Sequence, residues 1–203
     1  MAISIRRLGM WAVVAMAAMQ APAWAHHVMD GNLPRTFVQG FLSGLGHPVI
    51  GLDHLGAIIG VGILAALTGR GVGPVFAFSA ALIAGVALHL ARANIPASEL
   101  LVGLSTLVLG GLVVLRASMR PAIVLALFAI AGLVHGYALG ESIVGAEPAP
   151  LVAYLAGLLV VQTVVSLACY AAVLNLARWP VRIIGVLVAL IGGVTAAFAV
   201  GLA

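Results

Sequence analysis

Six apolar stretches, most of them 16 to 20 residues long, constrain this 203-residue chain more than any other feature. A helix of about 20 apolar residues crosses a hydrocarbon core of about 30 Å. A soluble domain of this size has no interior large enough for six such runs. The composition agrees: 64% of the residues are hydrophobic and 7% are charged, where soluble domains carry about 25% charged residues. The stretches cover residues 36–67, 75–90, 100–115, 123–139, 151–176 and 183–202. Between them stand Gly69-Arg70-Gly71-Val72-Gly73-Pro74, Asn94-Ile95-Pro96, Arg120-Pro121, Glu147-Pro148-Ala149-Pro150 and Arg178-Trp179-Pro180. Proline at or just before a helix start is well tolerated. The expected fold is an all-α polytopic membrane protein with six transmembrane helices.

The first 25 residues read as a secretory signal. Arg6 and Arg7 form a basic start, residues 8–19 an apolar core, and Ala23-Trp24-Ala25 an A-x-A cleavage site. Cleavage there leaves 203 − 25 = 178 residues that begin His26-His27. The expected organisation is a signal peptide over 1–25, an N-terminal arm over 26–35 on the periplasmic side of a bacterial inner membrane, and a transmembrane domain over 36–203. The arginines test this topology separately. Arg70, Arg116, Arg120, Arg178 and Arg182 fall in inner connections, and Arg35 and Arg92 in outer ones. That bias follows the positive-inside rule, and Trp179 suits the inner interfacial belt. The net charge of +4 comes from nine scattered Arg and no Lys. It reads as topology signalling, which argues against nucleic-acid binding. The single cysteine, Cys169, excludes an intrachain disulfide and reads as a small core residue.

Within the first stretch stands His47-Pro48-Val49-Ile50-Gly51-Leu52-Asp53-His54. Ionisable groups in an apolar span are costly unless they pair, ligate something or line a wet cavity. Imidazole with carboxylate is a ligand set that suits divalent transition metals. The stretch is also too long: 32 residues at about 1.5 Å each reach near 48 Å, against a core of about 30 Å. Pro48, with Gly44, Gly46 and Gly51, predicts a break or kink near Pro48. In an unbroken helix His47 and His54 share a face but stand about 10 Å apart along the axis. A break lets His47 fold toward Asp53 and His54 and frees carbonyls, as in the discontinuous helices of many transporters.

The fourth stretch carries a second group, His135-Gly136-Tyr137-Ala138-Leu139-Gly140-Glu141. Gly44-Leu45-x-His47 is echoed by Gly132-Leu133-x-His135, which would suit a three-plus-three inverted repeat. His89 reads as a hydrogen-bonding helix partner, and Gly56-x3-Gly60 as a close-packing face. His26, His27, Met29 and Asp30, with the amine that cleavage would leave, form a possible capture segment.

The motif His-Pro-x2-Gly-x-Asp-His, with an N-terminal His after a signal and a later His-Gly-x-Ala, resembles the HupE/UreJ family of hydrogenase and urease accessory proteins. His26, the 47–54 segment and the 135–138 segment carry the match. The resemblance implies a nickel or cobalt permease in which His47, Asp53, His54 and His135 are metal ligands or relays, with Glu141 and Glu99 as weaker candidates. The expected function is import of Ni2+, and of Co2+ as a second substrate, to supply a metalloenzyme such as hydrogenase or urease. Its partners are the ion and the bilayer, with no permanently bound cofactor. The ion is expected to be captured at His26 and His27 and coordinated by His47, Asp53 and His54, with His135 and Glu141 completing the site or passing the ion on. No nucleotide-binding motif is present, so a secondary transporter driven by the membrane potential or a proton gradient is expected rather than an enzyme. Two rivals stand beside it. A membrane haem protein would use His54 and His135 as axial ligands. A non-transporting assembly factor would dock the hydrogenase or urease through sizeable soluble loops.

Overall fold

A computed structural model of the chain describes residues 32–176 and 180–202. The signal, His26 and His27, and Arg178 and Trp179 lie outside the described residues. Those described form seven α-helices and one short 3-10 turn, with no strand. They are α1 (Phe37–Ile50), α2 (Leu52–Leu67), α3 (Gly73–Leu90), α4 (Ser98–Leu115), α5 (Pro121–Gly140), α6 (Pro148–Asn175) and α7 (Val181–Ala199). The 3-10 turn, Glu141–Ile143, joins α5 to the α6 connection. Helices α3 to α7 are each long and apolar enough to cross a membrane, and α1 with α2 makes a sixth, bent span. Their outward faces carry exposed Leu, Val, Ile and Phe side chains, as lipid contact requires.

The helix starts follow local chemistry. Thr36 caps α1 in a capping box: its hydroxyl accepts from Gln39 N at 3.2 Å, and Gln39 Oε1 accepts from Thr36 N at 3.2 Å. Proline occupies the first turn of α3, α5 and α6, where no intrahelical donor is needed.

The first span is broken, and its two parts are bent by 81°. The break falls at Gly51, three residues after Pro48, which stays inside the last turn of α1. The backbone ladder closes with Gly51 N donating to His47 O at 3.0 Å and resumes with Leu55 N donating to Gly51 O at 2.9 Å. Gly51 itself is extended, with φ −72° and ψ 100°. The carbonyls of Pro48, Val49 and Ile50 lie between these two bonds, at a helix C-terminus where no intrahelical donor is available. Asp53 completes the turn: its Oδ1 accepts from His54 N at 2.8 Å, and its charge suits the N-terminus of α2.

Beyond the break, α2 is the central helix. Ala57, Val61, Ile63, Leu64 and Ala65 are fully buried, and α2 packs on α4, α6 and α7. Around it, α1 pairs with α6, α3 with α5, and α4 with α7. The pairs meet backbone to backbone through glycine. A Cβ on Gly40 or Gly44 would strike the carbonyls of Pro150 or Tyr154, and one on Gly132 or Gly136 those of Phe78 or Leu82. In return Gly157 faces Phe41 O and Leu45 N, and Gly85 faces Leu133 O and Tyr137 N.

These approaches repeat in register. Residues of α1 map onto α5 with a constant offset (132 − 40 = 136 − 44 = 92), and residues of α3 onto α6 with another (150 − 78 = 157 − 85 = 72). The α4–α7 pair maps onto itself: Gly103 meets Ala196 N as Gly185 meets Val114 N, and Gly110 meets Ala189 N as Gly192 meets Leu107 N, with 185 − 103 = 192 − 110 = 82. Because α1 runs parallel to α6 and antiparallel to α5, the second half repeats the first upside down. The His47 and His135 echo is compatible with such a repeat, but is shifted from it by one turn. The sequence echo has an offset of 88 and the packing 92, so the packing counterpart of His47 is Leu139. Among the described helices, α2 alone has no counterpart.

Gly136→Ala or Gly44→Ala is expected to cost about 1–3 kcal/mol by overpacking. Gly111→Ala, where a Cβ meets nothing within 4 Å, is expected to be neutral. Thermal unfolding in detergent distinguishes the two classes.

Candidate metal centre

Three imidazoles converge where α1 breaks. His47 comes from the last turn of α1, His54 from the first turn of α2 and His135 from the last third of α5. All three are buried. His54 Nδ1 lies 2.7 Å from His135 Nδ1. The His47 and His54 rings meet edge to face with centroids 6.2 Å apart, and those of His54 and His135 at 4.9 Å. Gly51 makes this turn possible: a Cβ there would sit 3.0 Å from His54 Cδ2 and 3.2 Å from Asp53 Oδ1.

The hydroxyls around the rings decide tautomers. Ser105 Oγ donates to Val102 O at 2.9 Å, and Thr106 Oγ1 donates to Asp53 O at 3.2 Å. Each hydroxyl has one hydrogen; with those hydrogens on the carbonyls, both oxygens accept from His135 Nε2, at 3.0 and 3.4 Å. In that arrangement His135 carries its hydrogen on Nε2 and turns its Nδ1 lone pair toward His54. A neutral imidazole whose far nitrogen is anchored in this way is the usual state of a metal-binding histidine. Two nitrogens bound cis to one ion, with bonds of about 2.1 Å, stand about 3 Å apart. The observed separation is within a few tenths of an ångström of that.

Tyr154 of α6 braces the other side. Its hydroxyl donates to Leu139 O at 2.9 Å and meets Ser142 Oγ at 2.9 Å. Its oxygen faces His47 Nδ1 at 3.5 Å, the edge of hydrogen-bond range. This links α1, α5, the 3-10 turn and α6 at one point.

The sequence-predicted residues thus divide. His47, Asp53, His54 and His135 come together. Glu141 opens the 3-10 turn and is exposed, and the contact from that turn to the centre comes from Ser142. Glu99 is exposed in the first turn of α4. His89 packs against Tyr137 with ring centroids 4.6 Å apart, while Tyr137 OH bridges Ala93 O and Ile95 N. Among the described residues, no three His, Cys, Asp or Glu side chains already surround a common point. The imidazoles form a chain rather than a closed cage. Ser105, Thr106, Ser142 and Tyr154 were not anticipated. The Ser105-Thr106 pair inside the apolar fourth helix was the available signal. Axial haem ligation does not fit His54 and His135, because it needs their nitrogens about 4 Å apart across the porphyrin plane.

Tyr154→Phe removes one of the two hydroxyls that donate to Leu139 O, the other being Ser142 Oγ at 3.0 Å, and removes a brace of His47. It is expected to cost about 0.5–1.5 kcal/mol, the net worth of one hydrogen bond, read as a drop of a few degrees in the unfolding midpoint.

The residues found here by geometry can be compared with known proteins. No curated protein and no solved structure matches the chain. A protein family does, over residues 14–198, nearly the whole chain: its description is HupE / UreJ protein. With its six apolar spans and a match of that extent, the chain belongs to the HupE/UreJ family.

Proposed function

We propose that this protein imports Ni2+, and Co2+ as a second substrate, across the bacterial inner membrane to supply a metalloenzyme such as hydrogenase or urease. The observation that carries this reading is the His54–His135 nitrogen pair, 2.7 Å apart, with the Ser105 and Thr106 hydroxyls against the far nitrogen of His135. An ion takes both Nδ1 lone pairs once the hydrogen between them has moved, leaving each neutral ring with its hydrogen on Nε2. His47 and Asp53 stand on the same break and are the next ligands to close around it. Carbonyls at the α1 terminus add oxygen ligands, as broken helices do in other transporters.

The arginine bias supports the orientation, with the start of α1 outside. His135 then lies five residues from the outer end of α5, about one and a half turns inward. That depth suits capture from a dilute outer pool. The chain joins the described structure at Asn32, which lines a cleft of about 560 Å³ together with Arg35 and Glu147. Its position is consistent with delivery from His26 and His27 to the outer mouth. The membrane potential supplies about 2.3 kcal/mol per charge per 100 mV, about twice that for a dication. Connections among the described helices are short, at most the seven residues 91–97, which gives a docking factor little to dock with.

Radiolabelled nickel uptake in cells lacking other nickel importers tests the reading. His54→Ala and Asp53→Ala, at equal abundance, are expected to lose about tenfold or more, the scale of losing a ligand or its support. Uptake equal to the parent would remove the centre from the path. Ser105→Ala with Thr106→Val is expected to weaken nickel binding about tenfold by freeing the His135 ring, measured by calorimetry on the purified protein.

A further inference from the structure

Gln162 is buried in the middle of α6 with 1% of its surface exposed, and neither its Oε1 nor its Nε2 has a hydrogen-bond partner. A buried amide without partners is costly, and a leucine at this place would avoid that cost. The position is not arbitrary. Ala153, Tyr154, Gly157, Leu158, Val161, Gln162 and Ser166 form one buried stripe along α6, and α6 packs on both parts of the broken span. Tyr154, eight residues before Gln162, braces the imidazole centre. Ser166, one turn after it, donates to Ile58 O of α2 at 2.8 Å. Its carbonyl lies where a Cβ on Gly62 would be, so α2 and α6 run in the same direction here. One turn back from this contact on each helix stand Gln162 and His54. By this register residue 162 stands level with the start of α2, about 12 Å beyond Tyr154 along α6, away from the end at which α1 begins.

We propose that Gln162 is the second station of the ion path. Its Oε1 takes the partly hydrated divalent cation as it leaves the imidazoles, and its Nε2 steadies a ligand water or carbonyl. This rests on the transport reading above. A neutral amide suits the task. Carbonyl-type oxygen holds a transition-metal ion more weakly than imidazole does, and a path conducts only if each site releases what it binds. A buried carboxylate here would hold the ion too well and cost more when empty.

Purified full-length protein in proteoliposomes, given an inward nickel gradient, tests this. Gln162→Leu is expected to lower the maximal uptake rate about tenfold, the effect of about 1.4 kcal/mol on the barrier, with the half-saturating nickel concentration still set by the imidazoles. Gln162→Glu is expected to retain a second nickel equivalent in equilibrium binding, a change that a merely structural glutamine would not produce. Uptake by Gln162→Leu at the parent rate overturns the station and leaves the transport reading standing. Should Gln162→Leu fail to fold, Gln162→Glu decides: no second equivalent overturns the station. A parent protein that takes up no nickel overturns both.

Discussion

Everything in this structure answers to one constraint: inside a bilayer a backbone polar group must find its partner within the protein. A continuous helix meets it automatically. The first span does not, because it stops at Gly51 and turns by 81°. The break is tolerable where protein rather than lipid meets its polar side: His47, Pro48, Gly51 and His54 are buried, while Val49 and Ile50 face outward. Asp53 caps the new helix start, Thr106 binds the Asp53 carbonyl from α4, and Tyr154 ties the end of α5 to α6 beside His47. The same enclosure makes the imidazoles useful. They are shielded from bulk water, held by neighbours with fixed roles, and set beside helix-end carbonyls.

Glycine makes the enclosure tight. At Gly44, Gly136, Gly157 and Gly85 the facing helix contributes backbone, not side chain, to the contact. Without a hydrophobic driving force between helices in lipid, close packing of this kind is a main source of association. It also fixes register to the residue, so the close approaches of one half can be superposed on those of the other by simple offsets.

Much of this was legible beforehand. Apolar length and punctuation gave the spans, because a bilayer imposes a length that a soluble core does not. The excess length of 36–67, with Pro48 and Gly51 inside it, announced the break. The exact residue was not legible, since a proline perturbs the turn before it while the chain leaves the helix where a later residue can turn. His47, Asp53, His54 and His135 stood out as ionisable groups in apolar surroundings. Ser105, Thr106 and Tyr154 did not, because hydroxyls are common in membrane helices and only the fold reveals which ring they face. Glu141 stands apart for a related reason: its spacing from His135 matched that of Asp53 from His47, but the helix ends at Gly140 and the residue is exposed. The one-turn discrepancy between the motif echo and the packing register has the same lesson. Short sequence likeness recorded the composition of the two helices and not which of their residues occupy equivalent places.

The solitary α2 has a consequence of its own. Two halves that match when one is inverted define, in principle, a pair of shapes, each obtained from the other by letting the halves trade arrangements. Were every part duplicated and the halves identical in sequence, the two shapes would be equal in energy. A rod present once, threaded through the centre against α4, α6 and α7, removes that equality by construction.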